Sequence, residues 1–237
     1  MRKRILLISL LLLIGFGAFL YLYNDGAMYK KLAGKGIAEG VIEYDITYPK
    51  LDPNSMMISG MPNKAYLRFK DNNTSNGMSG MMGLVSITYI ANHAKKSVEQ
   101  TLTLINKKYA SHIPAEDLQR LNDSYVESID KGKKKREIAG YKCKEITVKL
   151  MNGEKTTAYY TDDIDILNPN WANPYSKIEG VLMDFHMERY GISMHLIARA
   201  VTPEKVDSDT FEISDDHKII PYAELEKILV ELNPSSD

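Results

Sequence analysis

The chain has 237 residues, 44% hydrophobic and 26% charged, a globular composition that excludes wholesale disorder. The formal net charge is −1, but residues 1–24 hold Arg2, Lys3 and Arg4 and no acid, so the remainder carries 27 basic against 31 acidic groups, a balance of −4. A mildly acidic body excludes a nucleic-acid binder, whose footprint is basic, and the single cysteine, Cys143, excludes an intrachain disulfide.

Arg2-Lys3-Arg4 precedes an apolar run over residues 5–23, broken only by Ser9, Gly15 and Gly17. At about 1.5 Å per residue the run reaches roughly 28 Å, close to the thickness of a hydrocarbon core. Basic residues ahead of such a span hold that end in the cytoplasm. The expectation is an inner-membrane anchor over residues 1–24, with the rest in the periplasm. The alternative is a cleaved signal peptide and a free periplasmic protein, although residues 15–18 and 25–27 match an A-x-A site poorly. Residues 25–39 read as a tether and 40–233 as the folded domain.

Residues 41–48 alternate, with Ile42, Tyr44, Ile46 and Tyr48 on one face and Glu43, Asp45 and Thr47 on the other, the pattern of a half-buried strand. Residues 64–70 repeat it with Ala65, Leu67 and Phe69 inward. Residues 85–91 and 98–106 follow, joined by a polar connection over 92–96. A short helix is predicted over 114–122, then a strand over 125–129 closed by Asp130-Lys131-Gly132. The strongest hairpin signal is Asn152-Gly153 within residues 138–162. A two-residue turn there places Val148 opposite Thr157 and Ile146 opposite Tyr159, in the middle of the sheet. Apolar parity changes between Tyr141 or Cys143 and Ile146, Val148 or Leu150, which implies a bulge or a roll of the sheet.

Residues 168–175 (NPNWANPY) read as a loop around the only tryptophan. A second hairpin spans 181–201, turning near Tyr190-Gly191, with Val181, Met183, Phe185 and Met187 on one face and Met194, Leu196, Ala198 and Ala200 continuing it. A last strand is expected over 210–213. From Pro221, Leu225, Ile228, Leu229 and Leu232 make a helical stripe. The predicted fold is mainly β (α+β). About ten strands form a strongly curved antiparallel half-barrel sheet, the C-terminal helix packs on its concave side, and a transmembrane or signal helix precedes it.

The order of GVIEYDITYP, MPNKAYLRF, IAGYKCKEITVKL with KTTAYYTDDI, and NPYSKIEGVLMDFHM resembles bacterial envelope proteins of the GLPGLI-like and related uncharacterised families, within the wider LolA/LolB-like superfamily of lipoprotein carriers and receptors. The best of these motifs are residues 138–143 and 178–180. The resemblance implies a half-barrel whose concave apolar face holds acyl chains or another greasy ligand. An uncleaved anchor departs from a diffusing shuttle, and a lipidated cysteine of the receptor type is not among the residues.

Six of the twelve methionines, Met56, Met57, Met61, Met78, Met81 and Met82, lie in two Gly/Ser/Asn-bearing stretches flanking one strand. Methionine is flexible and polarizable and suits surfaces that accept varied apolar partners. With Trp171, Met183, Phe185, Met187 and Met194 they form the candidate ligand-binding set, set against plain packing at the core edge. Thioethers also suit Cu(I). His186 and His195 share parity with Asp184 and Glu188, and a two-residue turn places the two imidazoles directly opposite, a weak metal candidate against a plain polar face. Lys131, Lys133, Lys134, Lys135 and Arg136 form a basic run suited to anionic headgroups or to a protected sheet edge. Asp162-Asp163-Ile164-Asp165 lacks the glycine and glutamate of a calcium loop. No nucleophile elbow, phosphate loop or zincin motif occurs.

The expectation is a tethered, non-enzymatic binding module for an acyl chain, lipid or lipoprotein segment, without a cofactor, using the membrane and an envelope protein as partners. The alternatives are an interaction or structural protein acting through its sheet rim or edge, and more remotely a hydrolase or metal site.

Overall fold

The computed structural model describes residues 36–54 and 58–232; the predicted N-terminal helix, nearly all of the tether, Met56 and Met57 lie outside them. The strands are β1 (Glu39–Thr47), β2 (Lys64–Lys70), β3 (Asn73–Gly80), β4 (Val85–Asn92), β5 (Ser97–Leu104), β6 (Lys107–His112), β7 (Val126–Ile138), β8 (Tyr141–Leu150), β9 (Lys155–Thr161), β10 (Val181–Arg189), β11 (Ile192–Thr202) and β12 (Lys218–Ile219). Helix α1 (Ala115–Asp123) follows β6, and α2 (Tyr222–Glu231) ends the described chain. No described helix is long and apolar enough to cross a membrane.

All twelve strands share one curved, unclosed sheet in the order β12-β6-β5-β4-β3-β2-β1-β11-β10-β9-β8-β7. The chain runs outward from β1 to β6, crosses through α1 to the far edge at β7, and returns strand by strand until β11 pairs with β1. The sheet is antiparallel except where β12 lies parallel to β6. The hairpin at Asn152-Gly153 is therefore near an edge, and β1 with β11 is the middle. Alternation shows that a segment is a strand, but not which distant strand it joins.

That hairpin also turns differently. Lys149 pairs with Lys155, Val148 with Thr156 and Ile146 with Ala158. The Leu150 amide donates to the Glu154 carbonyl at 2.8 Å and the Gly153 amide to the Leu150 carbonyl at 2.9 Å, a three-residue loop with Gly153 left-handed at φ 85°. The added residue moves Ala158 onto the buried face in place of Tyr159. The second hairpin keeps its two-residue turn, Tyr190 and Gly191 both having positive φ. Cys143, Ile146, Val148 and Leu150 are all buried despite their change of parity. The accompanying irregularity lies in the neighbouring strand, between Lys131 and Lys135 of β7.

Other segments also differ from their predicted pattern. β3 (NTSNGMSG) carries no apolar alternation, yet hydrogen-bonds to β2 and β4 on its two sides. Residues 130–132 continue β7 rather than ending it, so the basic run forms the sheet's free edge. Ser208–Phe211 is a 3-10 turn, not a strand. Ala200 is exposed, because a register shift between Glu43 and Tyr44 follows the Tyr44–Ala198 pair.

A flat sheet of twelve strands is unusual, since open twisted sheets rarely pass about ten strands without curling. Here the curl is read directly. Tyr89 sits on β4 and Tyr190 in the β10–β11 turn, with β3, β2 and β1 between them, roughly 19 Å along a flat sheet. Their hydroxyls meet at 3.2 Å. Gln100 of β5, fully buried, donates to the Tyr89 hydroxyl at 3.0 Å and accepts from Tyr190 at 2.9 Å, and the Tyr222 hydroxyl of α2 lies 3.4 Å from that of Tyr190. Helix α2 follows Pro221 as predicted and packs Leu225 and Leu229 against Leu102 on the concave side. Arg120 of α1 binds both carboxylate oxygens of Glu226 of α2 at 2.9 Å, tying the two helices together.

Buried hydrogen-bonded groups are costly to orphan. Gln100→Leu removes two bonds from hydroxyls that stay buried, so it is expected to lower stability by about 1–3 kcal/mol, read by urea unfolding followed on Trp171 fluorescence. Tyr190→Phe is expected to lower it too.

Candidate functional site

Most of the buried apolar residues fall into three clusters. The largest spans β1, β2 and β8–β11 and includes Ile42, Tyr44, Phe69, Ile146, Phe185 and Leu196. The second gathers Ala91, Val98, Ile113, Leu121 and Tyr222, and the third Leu102, Ile220, Leu225 and Leu229. Between the first cluster and the other two the concave face is not filled. A cavity of about 590 Å³ remains, walled by Tyr44, Phe185, Met187 and Met194 on one side and by Ile87, Tyr89, Ala91 and Leu229 on the other.

Each wall is held firmly. Tyr44 and Tyr175 both meet Phe185 edge-on with ring centroids 5.9 Å apart. The Tyr44 hydroxyl donates to the Leu182 carbonyl at 2.8 Å, and its phenol is pushed up by burial. Asn170 fixes the 168–175 loop by donating to the carbonyls of Ile178 and Gly180 at 2.7 and 2.8 Å. Pro169, Asn170, Ala172 and Asn173 of this loop reach the cavity.

Of the candidate binding residues, Met61, Met78, Met81, Phe185, Met187 and Met194 line the cavity. Met183 is fully buried and lies off the wall, because β10 is irregular between Leu182 and Asp184. Trp171 turns away from the cavity, packing on the second cluster under the Lys96 ammonium, 5.1 Å from its ring centroid. Met82 stands fully exposed beside Met81, both in left-handed backbone. Met56 and Met57 lie outside the described residues. Sequence reasoning did not assign Asn76, Tyr89, Arg189 or Tyr190 to the wall; the only signal for Asn76 and Tyr89 is inward parity, and Asn76 needed the unpredicted β3. The Asn76 Oδ1 is buried with no hydrogen-bond partner.

The other candidates lie elsewhere. His186 pairs with His195 across β10 and β11, as a two-residue turn requires. The rings stack at 4.0 Å with 5° between planes. His195 Nε2 lies 2.7 Å from Asp184 Oδ1 and His186 Nδ1 lies 3.0 Å from Thr156 Oγ1, while Arg136 pairs with the second Asp184 oxygen. Among the described residues no group of three or more His, Cys, Asp or Glu side chains is arranged to hold a metal ion. Asp162 of the acidic turn pairs with Lys144. Burial pushes the Cys143 thiol up to about 11, the direction opposite to an activated nucleophile. A second cavity of about 470 Å³, with a mixed lining, lies beside His186, Glu188, Tyr125 and Thr156.

No family model matches the chain, and no curated protein sequence matches it. Among solved structures the chain is similar to LprF from Mycobacterium bovis, at 10% identity and a TM-score of 0.28, over 78% of this chain and 94% of that one.

The cluster around Asp184, His186 and His195 makes stability depend on pH in a definite direction. Burial, then the neighbouring His195 charge, lowers the affinity of His186 for a proton. The unfolded chain therefore binds that proton more readily below about pH 6.5, and stability falls as pH drops through that value. Burial alone raises Asp184, but His195 and Arg136 outweigh it and hold the carboxyl below its ordinary range. The stability Asp184 contributes is present above the ordinary carboxylate range and is lost as pH falls through its lowered pKa. The urea midpoint is expected to decline from pH 7 to pH 5, and His186→Gln to flatten that slope while leaving the steeper loss below pH 4.

Proposed function

We propose that this chain is an exported, membrane-tethered module that binds an apolar ligand, namely an acyl chain, a lipid or a lipoprotein segment, in the trough of its curved sheet. The observation that carries this reading is the unfilled cavity of about 590 Å³ on the concave face, with five methionines on its wall. That volume falls within the ~300–1,000 Å³ range of small-molecule sites. Its lining is mainly apolar, and thioether side chains adapt to ligands of varied shape. The apolar run over residues 5–23 supports a tether in the inner membrane with the sheet in the periplasm.

The reading is non-enzymatic: the wall offers tyrosines, asparagines, Ser59, Thr74, Ser86 and one arginine, but among the described residues no His, Lys, Asp or Glu lines it to serve one of these hydroxyls as a base. The alternative, a sheet with a filled and inert interior working through its rim, fits the cavity less well. It does draw support from the exposed lysines of β7, although lysines on a free edge also discourage strand addition.

Each methylene moved out of water contributes about 0.8 kcal/mol, so shortening the chain by two carbons is expected to weaken binding on the order of tenfold. The test is photolabelling of the full chain, in its membrane fraction, with a diazirine-bearing palmitoyl ester and mapping of the crosslinked peptides. Label is expected on peptides carrying Met61, Met78, Met187 and Met194. Leu67→Trp, which fills the cavity from β2, is expected to reduce it at least tenfold without unfolding the sheet. Label confined to the N-terminal segment overturns the reading.

A further inference from the structure

Among the described residues Arg189 is the one lining the cavity whose side chain is charged at neutral pH; no Lys, His, Asp or Glu joins it there. It is the last residue of β10, half-buried and immediately before the Tyr190-Gly191 turn. Its partners set it apart from the other described arginines. Arg120, Arg136 and Arg199 each pair with a carboxylate, and Arg68 lies over the Tyr66 ring, 5.6 Å from its centroid. Arg189 instead donates from Nη1 to the Leu121 carbonyl of α1 at 3.1 Å, and no acid among the described residues pairs with it.

A guanidinium carries five N–H donors and keeps its charge at any physiological pH. One bond to a neutral carbonyl leaves most of that capacity unused beside an apolar wall, where an unpaired charge is costly. A planar carboxylate or a phosphate meets the fork with two parallel charge-assisted hydrogen bonds. The surroundings suit such a head group. The Tyr89 hydroxyl, from the facing side of the cavity, is near enough for the Arg189 charge to oppose the rise in its pKa that burial causes. The Tyr190 hydroxyl, held from behind by the buried Gln100, adds a second polar group on the cavity lining.

We propose that Arg189 is the head-group receptor of the cavity and that its ligand is an amphiphile ending in a carboxylate or a phosphate. The inference rests on the reading of the cavity as an apolar-ligand site and narrows it. The chain of the amphiphile lies along the methionines, and its anion sits against the Arg189 guanidinium. A neutral lipid leaves that charge unpaired, and a cationic one is repelled.

The experiment uses the full chain in its membrane fraction, labelled with the same uncharged palmitoyl ester probe. Four competitors of equal chain length are titrated against it: palmitate, hexadecyl phosphate, hexadecanol and hexadecyltrimethylammonium. Palmitate or hexadecyl phosphate is expected to displace the cavity label at a concentration at least about tenfold below hexadecanol, with the ammonium weakest. The stronger of the two anions distinguishes a carboxylate head from a phosphate head. Arg189→Gln is expected to abolish the preference for anions while keeping the label, and Arg189→Lys to retain part of it.

Equal competition by palmitate, hexadecyl phosphate and hexadecanol, with cavity peptides still labelled, overturns the Arg189 proposal and leaves the cavity reading standing. An Arg189→Gln protein that still prefers anions overturns it as well. Absence of cavity label in the wild-type chain removes the cavity reading and this proposal with it. Should the Gln variant lose its fold through the missing bond to Leu121, the competitor order on the wild-type chain decides alone.

Discussion

The fold depends on one seam, the antiparallel pairing of β1 with β11. Everything before it, β2 to β6, reaches the sheet through β1, and everything from β7 to β10 reaches it through β11. The two strands are far apart in sequence, so the seam closes a long loop and its entropy cost precedes the reward of the pairing. Side chains on the concave face supply that reward. Ile46 faces Leu196 and Tyr44 faces Ala198 across the ladder, all four buried. The Tyr44 hydroxyl then crosses β11 to the backbone of β10, tying three adjacent strands at one point.

Curling follows from the same seam. With six strands on the β1 side, counting β2 to β6 and β12, and four beyond β11, the concave face is too wide for two short helices to cover. Helices α1 and α2 gather the residues around Leu121 and Leu225, while the strands around β1, β10 and β11 gather their own. The tyrosine and Gln100 network draws the two sides together without filling the space between them. The hollow is thus a consequence of where the two packed regions stop, and its polar patch is where they touch.

The convex face carries a different kind of organisation. Asp184, His195, His186 and Thr156 satisfy one another across neighbouring strands, while Arg136 reaches Asp184 from β7 over β8 and β9 and lies 4.5 Å from the Tyr159 ring centroid. A network of this kind, almost wholly paired, fixes strand register where burial on that side is incomplete. At the far edge, exposed Lys133, Lys134 and Lys135 mark β7 as a strand that resists further pairing.

What the sequence determined by itself was the local grammar: nine of the extended segments, the Tyr190-Gly191 turn that sets His186 opposite His195, and the C-terminal helix after Pro221. Alternation and turn residues act over a few positions and are readable there. It also pointed to methionines as the wall of a trough: Met61, Met78, Met81, Met187 and Met194 reach it, while Met82 is exposed and Met183 was displaced by an irregularity in β10. The tertiary structure alone decided the rest. The strand status of β3 comes from neighbours on both sides rather than from its own polar residues. The edge position of the Asn152-Gly153 hairpin and the place of Arg189 on the cavity wall depend on which distant strands meet. Pairing and curvature are set by contacts between segments many residues apart, and no local pattern encodes them.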